Sequence, residues 1–138
     1  MSPRDTATGH VLEMMILPAL EQGGYEVAKQ ALIEERPGGK VHRVDALATK
    51  GGERFLISLK WQQVTGTAEQ KVPFEVMSLA VALRAGGYAK AYLVLGGEGW
   101  TLREYFTSGG LGTHLKDIDL VHIVTLESFI ALANSGRL

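Results

Sequence analysis

Four polar side chains fall on one face of two neighbouring segments. Asp45 lies in VHRVDALATK, and Ser58, Lys60 and Gln62 lie in ERFLISLKWQ. Glu69, Lys71 and Glu75 follow soon after, in AEQKVPFEVMSLAVALRA. A set of carboxylates with one lysine is suited to phosphodiester hydrolysis with Mg²⁺. Oxygen ligands hold the hard cation, which sits against phosphate oxygens. The lysine can stabilise developing charge or position the attacking water. Against this stands a plain surface ion pair, worth about 0–1 kcal/mol when exposed. The face, however, is polar within strands that should be central, and the acids of the next helix follow directly.

The elements that must position these groups are readable from periodicity. Residues 41–62 form a β-hairpin. Phe55, Ile57, Leu59 and Trp61 point one way, and Ser58, Lys60 and Gln62 the other. In the first arm Val44, Ala46 and Ala48 are expected on one face, with Arg43 and Asp45 opposite. Lys50-Gly51-Gly52-Glu53 supplies the turn. Residues 25–34 permit either helix or strand. The turn residues Arg36-Pro37-Gly38-Gly39 favour a strand there, pairing antiparallel with 41–49 to complete a three-stranded meander.

Before the meander, 9–22 reads as a helix with an apolar stripe of Val11, Leu12, Met15, Ile16, Ala19 and Leu20. Thr8 is its expected cap, Pro18 loosens its last turn, and Gly23-Gly24 end it. After the meander, 68–85 is the longest helix, with a stripe of Val72, Val76, Leu79, Ala80 and Leu83. Thr67 and Gln70 have capping-box spacing, while Pro73 points to a regular start nearer Val72. Residues 89–95 are a strand buried on both faces, 101–106 a short helix, 120–125 the last strand, and 127–135, or from Leu126, a closing helix. The order α-β-β-β-α-β-α-β-α gives an α/β fold, a meander with a helical crossover into further strands and helices on both sides.

The chain has 138 residues, a size that suits one domain with a real core, and a net charge of −1 that argues weakly against a protein that coats nucleic acid. A local patch that touches DNA remains compatible with it. No cysteine is present, so there is no disulfide framework and no thiolate metal site. No apolar run reaches membrane-helix length and the first residues lack a secretory signal, so a cytoplasmic protein without membrane association is expected. His10, His42, His114 and His122 are scattered. His10-x-x-Glu13 has helical spacing, but no full zinc set accompanies it.

The hairpin resembles that of the PD-(D/E)xK nuclease superfamily, the restriction-endonuclease-like fold. In that pattern an acid ends one strand and an acid-x-lysine triplet lies on the next. Asp45 matches the first acid and Lys60 the lysine, while Ser58 stands where the family usually has Glu or Asp, and Val44 where it has proline. Some restriction enzymes of this superfamily carry Ser-x-Lys and move the acid to the following helix. Ser58-Leu59-Lys60 followed by Glu75 is similar to that arrangement, with Glu69 as second candidate. Glu13 resembles a helix-one acid that supports the metal, and Gln62 a glutamine that follows the lysine in related resolvases and phage nucleases.

The resemblance implies an endonuclease that holds Mg²⁺, or Mn²⁺ in its place, between Asp45 and Glu75 with Glu13 in support. Lys60 would serve the attacking water and Gln62 would complete the catalytic set. Arg43 and Lys71 are candidate DNA contacts, each weighed against an ordinary surface cation, for Lys71 an i,i+4 pair with Glu75. Trp61 reads as core rather than as a base-stacking platform. Small size and the lack of a sequence-reading module point to branched or junction DNA and to a homodimer. The alternative, which Ser58 brings to the fore, is a catalytically inactive DNA-binding or structural protein on the same fold.

Overall fold

The computed structural model describes residues 3–35, 38 and 41–138. The expected turn at 36–39 lies outside the described residues apart from Gly38. The elements are α1 (Pro3–Val11), a π-helical turn (Leu12–Ile16), α2 (Leu17–Gln22), β1 (Glu26–Glu35), β2 (Val41–Lys50) and β3 (Glu53–Trp61). Then come α3 (Ala68–Ala85), β4 (Lys90–Gly96), α4 (Arg103–Thr107), a 3₁₀ turn (Gly110–Thr113), β5 (Val121–Thr125) and α5 (Leu126–Asn134). The ambiguous segment after Gly24 is thus a strand. Its five-stranded sheet runs in the order β1-β2-β3-β4-β5. The first three strands are antiparallel, and β4 and β5 join in parallel, β4 by way of α3.

Two cores sandwich the sheet. On one side Ile16, Leu20, Ala46, Ala48, Phe55, Ile57, Tyr92, Val94 and Phe129 pack between the sheet and α1, α2 and α5. On the other, Val44, Leu56, Val72, Val76, Leu79, Leu93, Leu95 and Phe106 pack the sheet against α3 and α4. β4 contributes alternately to both, as its unbroken apolar run requires.

Strict alternation does not hold along β2. Val44 belongs to the α3 side, whereas Ala46 and Ala48 belong to the α5 side. β1 changes faces at the same level, Val27 on the α5 side and Ala31 and Ile33 on the α3 side. Gln30 lies at the change with φ of 54°, out of the extended range, between the pairs Lys29↔Ala46 and Ala31↔Val44. Asp45 is the residue of β2 at that level. The single face expected for Val44, Ala46 and Ala48 is corrected accordingly: positive φ at Gln30 rotates β1 and reverses the facing of its later residues, and β2, paired to it on both sides of Gln30, changes face at the same level.

Three local expectations also change. The first helix starts at Pro3, so Thr8 lies inside it and caps nothing. Its interior widens into a π turn just before Pro18, where the Leu17 N–H donates to the Leu12 carbonyl. A proline ring collides with the carbonyl four residues back, and the wider turn relieves that contact. Helix α3 is regular from Ala68 despite Pro73, and Thr67 makes no side-chain cap bond. The Gln62 side chain caps instead, its Oε1 accepting from the Ala68 N–H at 2.9 Å.

Candidate active site

A cavity of about 870 Å³ opens where β2 and β3 part beneath α3. Asp45, Ser58, Lys60, Gln62, Lys71 and Glu75 line it, with Arg43 from β2 and Ala7 and Thr8 from α1. β3 presents Ser58 and Lys60 toward α3 because Phe55, Ile57 and Leu59 fill the opposite core. Glu75 comes from within the apolar stripe of α3, between Val72, Val76 and Leu79, so its carboxylate is driven into the sheet face. The structure therefore brings Asp45, Lys60 and Glu75 together on one cavity.

Each carboxylate is held. The Leu59 backbone N–H donates to Asp45 Oδ2 at 2.6 Å. Glu75 Oε2 accepts from Ser58 Oγ–H at 2.8 Å and pairs with His42 Nε2 at 2.9 Å. His42 is fully buried. Burial is the largest influence on both acids and works to raise their pKa values. At Asp45 it prevails, with the Glu75 charge adding to it against the Leu59 bond and the Lys60 charge, and the pKa is raised. At Glu75 burial is outweighed by the His42 hydrogen bond, the Lys60 charge and the Ser58 bond, and the pKa falls to about 2.

Ser58 acquires a physical reason in this geometry. An acid at that position would place a second negative charge against Glu75, whereas the hydroxyl supplies a donor. Two hard carboxylates, one of them strained by burial beside the other, are a donor set that suits Mg²⁺. That ion takes one or two carboxylates and completes its shell with water and substrate phosphates. Among the described residues no group of three or more His, Cys, Asp or Glu side chains is arranged to hold a metal.

Other candidates sit elsewhere or are otherwise engaged. Glu13 Oε1 pairs with Lys29 Nζ at 2.7 Å on an exposed surface, and the cavity is lined from α1 by Ala7 and Thr8 instead. Glu69 is buried under Thr101, whose N–H and hydroxyl donate to it at 2.6 and 2.9 Å, and it lines a separate hollow with Tyr105 and Phe106. Those bonds outweigh burial and lower its pKa. Gln62 reaches the cavity wall, but its amide is spent on structure: Nε2 donates to the Gly99 carbonyl at 2.8 Å and to Glu69 Oε1 at 3.2 Å. Arg43 and Lys71 are exposed at the rim. Trp61 packs on the α5-side core and also borders the cavity. His42 was not foreshadowed by spacing; regular alternation would have put it beside Ala46, away from α3.

The chain matches the PD-(D/E)XK nuclease superfamily domain over residues 4–137. Among solved structures it resembles a protein of unknown function, AF1548, at 13% identity and a TM-score of 0.50, covering 80% of this chain and 54% of that one. It also resembles the small subunit of the heterodimeric restriction endonuclease R.BspD6I, at 17% identity and a TM-score of 0.42, covering 82% and 60%. The chain thus spans less than two thirds of either. No curated protein matches. The mixed sheet, its flanking helices and the match across nearly the whole sequence agree: this chain belongs to the PD-(D/E)XK nuclease superfamily.

Proposed function

We propose that the cavity binds the DNA backbone and, with Mg²⁺ or Mn²⁺, hydrolyses a phosphodiester bond. One observation carries the hydrolytic part: Asp45 and Glu75 line the same cavity as Lys60, whose charge acts on both of them. Asp45 and Glu75 would hold the ion, without Glu13. When bound, the metal supplies Lewis-acid polarisation of the phosphate and a lowered pKa for a coordinated water. Lys60 offsets charge that develops on the phosphoryl oxygens and orients the attacking water. Arg43 and Lys71 at the rim bind flanking phosphates, and Gln62 fixes the start of α3, hence Glu75, rather than meeting the substrate. A single domain over 1–138, acting as a homodimer on branched or junction DNA to leave a 5′-phosphate, completes this reading.

A second reading is a DNA-binding protein on the same fold that does not cleave. Two observations favour it. Among the described residues two carboxylates line the cavity, short of a three-ligand cluster. One oxygen of Glu75 already serves His42 and Ser58. DNA binding on a nuclease fold is common to both readings and has the wider support; cleavage requires in addition that two carboxylates suffice. Incubating the protein with linear, nicked and four-way DNA in Mg²⁺ or Mn²⁺ separates them. Hydrolysis that Lys60→Ala abolishes while DNA binding persists establishes the first. Binding without any metal-dependent cleavage establishes the second.

A further inference from the structure

We infer that His42 is a positioning residue for Glu75, holding that carboxylate in the orientation in which it binds a divalent cation. The inference rests on the hydrolytic reading above and extends it to a residue outside the family's acid and lysine motif.

The carboxylate oxygen Glu75 Oε2 is an acceptor shared by two neighbouring donors. His42 Nε2 therefore carries the hydrogen that bridges the 2.9 Å to Oε2. Ser58 donates to the same oxygen at 2.8 Å from a different strand. Two donors on one oxygen, from β2 and β3, fix both the reach and the rotation of a side chain that α3 alone leaves with three free torsions. His42 has no solvent exposure, and its Nδ1 finds no hydrogen-bond partner. Burying an imidazole with one nitrogen unsatisfied is costly. An apolar side chain would pack there at less cost, so the donor, not the volume, is what the site uses. Metal-binding groups are commonly oriented by such outer partners, and loss of one typically costs about 10–100-fold in metal affinity.

Mn²⁺ binding, followed by the loss of the free-ion paramagnetic resonance signal, tests this without recourse to cleavage. Wild type, His42→Leu, which keeps bulk and removes the donor, and His42→Gln, whose amide nitrogen lies near the position of Nε2, are compared. His42→Leu should weaken Mn²⁺ about 10–100-fold, and His42→Gln should restore most of the loss. Should His42→Leu fail to fold, wild type alone suffices: with ¹⁵N-labelled histidine, the His42 Nε2 resonance should shift with the same midpoint as Mg²⁺ binding. Wild-type Mn²⁺ affinity in folded His42→Leu, or a His42 resonance unmoved as Mg²⁺ saturates, overturns the positioning role and leaves the hydrolytic reading intact. Absence of Mn²⁺ and Mg²⁺ binding by wild type overturns both.

Discussion

The Leu59 backbone N–H donates to the Asp45 carboxylate at 2.6 Å, just beyond Ala46↔Ile57, where the ladder between β2 and β3 ends. A side chain takes over the sheet's role where the strands separate, and the separation opens the cavity. Asp45 is thus both a structural acceptor and the acid whose burial raises its pKa. Since the folded protein favours its protonated form, ionised Asp45 opposes folding, and stability falls as pH rises from the ordinary carboxylate range through the raised value. Asp45→Asn keeps an acceptor for Leu59 and removes the charge. It should melt at a higher temperature than wild type at pH 7 while losing Mn²⁺ binding. Asp45→Ala, which orphans the Leu59 N–H, should instead lose about 1–3 kcal/mol relative to Asp45→Asn in denaturant titration.

Glu75 has the opposite sign. Its folded pKa, lowered from 4.5 to about 2, contributes stability that is complete above pH 4.5 and is lost as pH falls toward 2. The shift corresponds to roughly 3 kcal/mol. Urea unfolding between pH 2 and 5 should therefore show a steep acid limb, and Glu75→Gln should flatten it. Glu69, also lowered, accounts for part of the slope that remains.

Glu69 distinguishes a structural acid from a functional one. Removal of its carboxylate takes the acceptor from the Thr101 N–H and hydroxyl and breaks the bond from Gln62. Glu69→Ala should cost roughly 2–3 kcal/mol with Mn²⁺ affinity unchanged in the folded fraction. A loss of metal affinity there would reassign the second acid from Glu75 to Glu69.

Gly97 supports the same corner from the other side. Its φ is 91°, and a Cβ on it would collide with the Gln62 carbonyl. Gly97→Ala should destabilise the domain by about 2 kcal/mol or more, from backbone strain together with the clash. Because Gln62 caps α3, the first turn of that helix should lose amide-exchange protection in the variant before the sheet does.

The layered α/β plan was legible because its signals were local. A period-two run marked β3, an unbroken apolar run marked β4, Gly-Gly pairs marked the ends of α2 and α3, and the α3 stripe fixed which side faced the sheet. Asp45 and Lys60 were legible as candidates from strand parity, and Glu75 from the resemblance to Ser-x-Lys enzymes that carry the acid on the following helix. His42 was not, for its facing depends on Gln30 and Asp45, where parity reverses. The engagement of Gln62 and Glu69 with Ala68, Gly99 and Thr101 joins residues up to 37 positions apart. No spacing rule encodes such a contact. Glu13 failed to reach the cavity because the π turn that carries it is oriented toward Lys29 on β1.

The shared reversal of β1 and β2 has a thermodynamic consequence. One end of this strand pair is stitched into the α5-side layer through Val27, Ala46 and Ala48, the other into the α3-side layer through Ala31, Ile33 and Val44. Neither helical layer can melt alone without stripping support from half of the same ribbon. The two layers therefore unfold as one cooperative unit, with Asp45 at its seam. The amides that pair β1 with β2 on both sides of Gln30 should exchange only through global opening, so an assembled acid site reports that the whole domain is folded.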